Sequence, residues 1–200
     1  MIDAELTMQE HVNRTAQTCF YHLRRLRSVR QQLGRDVTAQ LVSALVLSRL
    51  DYCNAVLADL PFSTLAPFQK VLHAAARLVL GLRSRDHVTS ALKELHWLPI
   101  TQRIQYKLCL LVHKASIGQA PKYITDLLTA NADVPSKSSL RSSDSGNYVL
   151  PRTRTKLGDR AFSVAAPRAW SCLPTELKLQ RSTPAFGLDL KTFLFIAAYG

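Results

Sequence analysis

The apolar positions of this 200-residue chain follow a helical repeat most plainly between residues 65 and 82. Leu65, Phe68, Leu72, Ala75, Val79 and Leu82 recur at alternating spacings of three and four, which lays them along one side of an α-helix. Val71 and Leu78 widen the stripe, and Lys70, His73 and Arg77 fall opposite it. The run Ala74, Ala75, Ala76 lets a neighbouring helix come close, and alanine has the strongest helix propensity. Ser63 and Thr64 are the expected caps, Pro67 is expected in the first turn, and Gly81 is the expected left-handed stop. A helix this apolar must be packed on by its neighbours. The pattern predicts the hub of an all-helical core.

The same repeat predicts helices on either side of the hub. Over residues 7–33, Val12, Ala16, Cys19, Leu23, Leu26 and Leu33 keep a heptad-like seam, flanked by Phe20 and Val29 and interrupted by Arg30. Gly34 ends that element, and Asp36 can cap the next, over 37–58, where LVSALVL is apolar nearly all round. Pro61 punctuates the loop into the hub. A short helix over 88–95 precedes LHWLPIT, which turns at Pro99. Thr101 is the expected cap of a helix reaching residue 117, with the stripe Ile104, Leu108, Leu111, Val112 and Ala115 and the stop Gly118. A short helix over 122–128 closes this part.

At Thr129 the pattern fails. Residues 129–147 are rich in Ser, Asn, Asp, Pro and Gly and read as a linker. Beyond it the spacing shortens: 148–153 and 161–164 are strand candidates around a turn near Gly158. Residues from Thr183 onward predict a last amphipathic helix. The expected fold is therefore mainly α. It comprises a bundle of five or six helices in a domain 1–128 (helices over 4–128), a linker 129–147, and a segment 148–200 holding a small β-hairpin and a C-terminal helix.

Charge adds what periodicity cannot. The chain carries 26 basic and 14 acidic residues, a net charge of +12 and a pI near 10.0. That balance favours a polyanionic partner, of which nucleic acid is the commonest. Two basic clusters stand out. Arg24, Arg25, Arg27, Arg30 and Arg35 crowd the end of the first helix, where two readings are open: a solvated face, or a ridge contacting phosphates, which guanidinium grips bidentately. Arg152, Arg154, Lys156, Arg160 and Arg168 form the second, where PRTRTK would project charge to one side of an extended strand. Phe162 and Trp170 can stack on bases, or pin the segment to the core.

Other chemistry is sparse. No stretch of eighteen apolar residues lacks a charge, so no membrane span is expected. MIDAELTMQEH is acidic and polar rather than a secretory or transit signal, so the expected location is intracellular, nucleus or cytoplasm. Cys19, Cys53, Cys109 and Cys172 read as reduced, packed thiols. Cys109 and His113 lie one helical turn apart as half a zinc site with no second pair, so no metal and no cofactor are expected. Asp51 in SRLDYCN is either a carboxylate paired with Arg49 beside a packed Tyr52, or a lone catalytic acid without a second. His96 and Trp97 form a packed corner or a pocket. With no acid pair, nucleophile–base arrangement or glycine-rich phosphate loop, no catalytic residue and no small-molecule substrate are expected.

Seven stretches, in this order, carry a resemblance: IDAELTMQEHV, LRRLRSVR, LVLSRLDYCNAVLADLP, FQKVLHAAARLVLGL, LHWLPITQRIQYKLCLLVHKA, RAFSVAAPRAWSCLP and LKTFLF. Together they resemble the C-terminal part of the reverse transcriptase of non-LTR, LINE-type retrotransposons of the jockey-like branch, over nearly the whole chain. In that family the region follows the polymerase palm, and its first part is similar in position to the thumb. The resemblance implies a thumb-like domain 1–128 gripping RNA or an RNA–DNA duplex, with the absent palm as its protein partner. The family's metal-binding Tyr-x-Asp-Asp turn is missing: Asp51-Tyr52-Cys53-Asn54 has the wrong order and lacks the paired acids. The expectation is a non-catalytic fragment of an RNA-directed DNA polymerase. The alternative is a captured or decayed remnant that docks on another protein with no nucleic-acid role.

Overall fold

The seam of the first helix determines how the chain begins to pack. The computed structural model describes residues 7–83, 85–134 and 146–200. The expected helical start at 4–6 and the linker positions 135–145 lie outside the described residues. Helix α1, Gln9–Val42, buries Val12, Ala16, Cys19, Leu23 and Leu26, the positions its repeat marks. At Gly34 the backbone leaves helical geometry, with φ +71 and ψ 178, so the break expected there is present although the turns on both sides are helical. Thr38, fully buried, donates from its hydroxyl to the Gly34 carbonyl at 2.5 Å. A π-helical stretch, Ser43–Leu47, and helix α2, Ser48–Asp51, continue the chain. The helix expected over 37–58 therefore stops at Asp51: Tyr52 is extended, Cys53 takes a positive φ of 53, and a 3-10 turn covers Asn54–Leu57.

Helix α3, Phe62–Leu80, is the expected hub and packs most extensively on α1. Leu65, Phe68, Val71, Leu72, Ala75, Ala76, Leu78 and Val79 are buried. Gly81 takes φ +70, and the Leu82 amide donates back to the Arg77 carbonyl at 2.9 Å, the six-to-one closure of a glycine stop. The helix begins earlier than its hydroxyls suggest. Pro61 is the cap, its carbonyl accepting from the Thr64 and Leu65 amides, and neither Ser63 nor Thr64 caps it. Pro67 consequently lies in the second turn, where its missing N–H leaves the Ser63 carbonyl without its helical donor.

Helix α4 is Thr89–Glu94 and α5 is Ile100–Ser116, so Thr101 falls inside the first turn of α5 rather than at its cap. Two compact units result: residues 1–54, 60–103 and 199 in the first, and 55–59, 104–198 and 200 in the second. The second unit holds the rest of α5 and helices α6, Lys122–Thr125, α7, Lys156–Asp159, α8, Phe162–Ser171, α9, Thr175–Lys178, and, as far as residue 198, α10, Thr183–Tyr199. Its interior is built on Leu108, Cys109, Val112, His113, Trp170, Phe186, Leu190 and Leu194.

The chain is mainly helical, and the expected β-hairpin is absent from the described residues. Tyr148 instead forms an isolated antiparallel bridge with Ala130, held by Val149 N–H to Thr129 O at 2.8 Å and Asn131 N–H to Asn147 O at 3.0 Å. Pro151 removes a ladder donor just beyond that bridge. The Thr155 hydroxyl accepts from the Gly158 amide at 3.1 Å and so starts a helical turn where the hairpin turn near Gly158 was expected. Residues 162–164 open α8, whose alanines favour helix.

Candidate nucleic-acid interface

Between Glu10 and Asp36 the sequence has no acidic residue but six arginines, Arg14, Arg24, Arg25, Arg27, Arg30 and Arg35. All lie on α1, which turns them to different sides. Arg24, Arg25 and Arg27 are exposed, and no carboxylate pairs with them among the described residues. Arg25 donates to the Tyr21 hydroxyl at 2.9 Å and lies over its ring, 5.8 Å from the centroid, which holds one guanidinium outward. Arg14, exposed one helical face away from the seam, belongs to the same surface and was not singled out from sequence. Its signal was the acid-free run rather than the dense cluster.

Arg30 does something else. Spacings of four and three from Val12 through Ala16, Cys19, Leu23 and Leu26 reach Arg30 next, so it sits on the buried seam. Its Nε and Nη2 donate to the Leu78 and Val79 carbonyls at 2.9 and 3.0 Å, satisfying orphan acceptors at the C-terminal end of α3. Gly81 completes the arrangement: a Cβ there would lie 3.3 Å from Arg30 Nη2. Arg35 is exposed but bridges Glu94 at 2.6 Å, an exchangeable surface pair.

The second cluster belongs to the other unit. Arg152, Arg154 and Lys156 are exposed, and Arg160 is half-buried. Arg168 pairs with Asp59 and lies 3.6 Å from Asp159, so its charge is largely answered. These residues are not set along a strand: 152–154 is irregular chain and Lys156 opens α7. Trp170 is 1% exposed, donates from its indole to the Gly146 carbonyl at 2.8 Å and packs between Tyr148 and Phe186. Phe162 is half-buried at the start of α8.

The remaining candidates divide: Cys19 and Cys109 are packed as expected, whereas Cys53 and Cys172 are exposed on the surface. Asp51 is held by Arg103, not Arg49, through two bonds of 2.8 and 2.6 Å, and Tyr52 is not packed but 72% exposed. Burial pushes the Cys109 thiol up to about 12 and the Cys19 thiol up to about 11, so neither is a thiolate near neutral pH. His113 is buried against Phe186, its ring stacked at 4.0 Å, and Nε2 meets the Gln180 carbonyl at 2.9 Å. Burial holds its pKa below the ordinary imidazole value, with the Gln180 bond acting the other way. Among the described residues no group of three or more His, Cys, Asp or Glu side chains is placed to hold a metal ion. His96 is exposed at a positive φ of 52, while Trp97 is half-buried with its amide donating to the Leu92 carbonyl, so of the expected packed corner Trp97 alone is partly packed. No helix is long and apolar enough to cross a membrane among those residues. No protein-family model matches the chain, and neither the curated proteins nor the solved structures compared with it give a match.

Proposed function

We propose that this chain is a nucleic-acid-binding module: the non-catalytic thumb and post-thumb part of a LINE-type, jockey-like reverse transcriptase. It holds RNA or an RNA–DNA duplex by the sugar–phosphate backbone, and the chemistry belongs to a separate palm that is its natural partner. The observation that carries this reading is Arg24, Arg25 and Arg27, exposed without carboxylate partners on the acid-free stretch of α1 between Glu10 and Asp36. Guanidinium groups so placed neutralise phosphates without reading bases. The ordered motif series read from the sequence supplies the family. Binding of an RNA–DNA duplex, followed by fluorescence anisotropy from 50 to 200 mM salt, tests it: affinity falls steeply as condensed counterions are released. A flat response contradicts it.

A second reading has its own observation. Phe62, Leu188 and Ile196 are 69, 69 and 63% exposed, and the last two share one face of α10. Such surface suits a helical interaction fragment with no nucleic-acid role. Concentration-dependent self-association in sedimentation, together with no binding of the duplex, is its outcome.

A further inference from the structure

Each seam residue of α1 from Val12 to Leu26 is preceded by a polar one: His11, Thr15, Thr18, His22 and Arg25 follow the same alternation of four and three. This strip flanks the buried seam. The break at Gly34 turns the chain back, so the π-helical stretch Ser43–Leu47 and α2 run beside the first half of α1, with Cys19 Sγ 3.9 Å from the Val46 carbonyl. Between them lies a cleft of about 390 Å³ lined by His11, Thr15, Thr18, Ser48, Arg49 and Tyr52. That volume is within the range of small-molecule sites.

The lining carries one arginine and no carboxylate. Arg49 is half-buried, fixed by a bond from Nη1 to the Leu45 carbonyl at 3.2 Å, and has no acidic partner among the described residues. Its field is felt nearby. His22 is held below its ordinary pKa by burial first, then by Arg49 and Arg25. Thr18 and Ser48 give their hydroxyl protons to the Arg14 and Ala44 carbonyls at 3.1 and 2.5 Å. The donors left to the cleft are the rest of the Arg49 guanidinium, the Thr15 hydroxyl, the His11 ring and the Tyr52 phenol. Tyr52, 72% exposed, offers a ring face at the rim.

We propose that this cleft is a nucleoside-phosphate site, in which Arg49 holds the phosphate and Tyr52 stacks on the attached base. The inference rests on the nucleic-acid reading for the identity of the strand; the phosphate chemistry stands on the cleft itself. A guanidinium without a carboxylate, with the Thr15 hydroxyl beside it, suits a phosphate, and one aromatic face tolerates any base.

The test is an NMR titration of the full chain with adenosine 5′-monophosphate and with adenosine. The nucleotide shifts the amides of His11, Thr15, Ser48 and Tyr52, and adenosine binds at least fivefold more weakly. Arg49→Gln removes that difference. Tyr52→Ala, at an exposed position, weakens the nucleotide at least threefold while inorganic phosphate still competes, so the site is tested even if Arg49→Gln does not fold. Equal binding of nucleotide and nucleoside, shifts confined to other residues, or no effect of either substitution in a folded protein overturns the proposal. The triple variant Arg24→Gln/Arg25→Gln/Arg27→Gln separates the two ideas, because it leaves nucleotide binding intact while weakening duplex binding. Nucleotide binding without duplex binding keeps the cleft and rejects the strand. Duplex binding with the cleft amides unmoved by nucleotide rejects the cleft alone. Competition by a ten-nucleotide RNA identifies a strand phosphate as the source; its failure identifies a free nucleotide.

Discussion

Asp51 was conspicuous in the sequence as a lone acid between an arginine and a tyrosine, and its partner turned out to lie 52 residues away. Arg103, whose side chain is only 15% exposed, meets both carboxylate oxygens. Removing the acid leaves a guanidinium largely out of water with both of those bonds unmade. Asp51→Ala should therefore cost about 1–3 kcal/mol, read as a lower urea midpoint, with Asp51→Asn recovering part of it. An unchanged midpoint would mean the pair is merely a surface contact. The arginines differ in the same way. Arg30, placed among the phosphate candidates by its neighbours in sequence, has its donors on two carbonyls of α3. Nothing in a linear reading separates it from Arg27 except the repeat, which puts Arg30 on the seam and Arg27 beside it.

Among the elements, those whose repeat is strict were readable in advance. The seam of α1, the stripe of α3, the stripe of α5 and the glycine stops at Gly34 and Gly81 all follow from three-four spacing and positive φ. What failed was decided by contacts the local sequence does not contain. The run at 148–153 is extended at Tyr148, but its bridge is to Ala130, and 161–164 yields to the helix of its own alanines. The cleft was equally invisible, since it exists only because the break at Gly34 lets α2 run back beside the first half of α1. Gly34 gives a direct check on the break in α1. Its φ of +71 and ψ of 178 suit glycine alone, and a Cβ there meets nothing within 4 Å. Gly34→Ala is thus a pure backbone penalty, about 1–3 kcal/mol by chemical denaturation. An unchanged or raised midpoint would show that the two halves of α1 run straight without cost.

At the scale of the whole molecule, charge sets both stability and partner. His73 and His113 are held below the ordinary imidazole pKa. Burial is the larger cause at His73, with Arg77 adding repulsion, and burial is the cause at His113. Gln69 Nε2 lies 2.7 Å from His73 Nε2, an arrangement that suits a neutral ring accepting the amide proton. The unfolded chain protonates both near 6.5, the folded chain only at lower pH. Their contribution is complete above about 6.5 and is lost as pH falls, in the same direction as the self-repulsion of a chain already at +12. The urea midpoint should drop between pH 7.5 and 5.5, and His113→Phe should make that drop shallower; a midpoint that holds or rises on acidification contradicts this. The excess charge matters for function only if it is grouped, and the stretch of α1 between Glu10 and Asp36 is where it is grouped without acids. The most direct measurement is the slope of log affinity against log salt for an RNA–DNA duplex, in the wild type and in Arg24→Gln/Arg25→Gln/Arg27→Gln. The slope should become shallower by about one for each arginine removed, while Arg30→Gln leaves it unchanged. Equal slopes in wild type and triple variant would mean that this helix touches no phosphate.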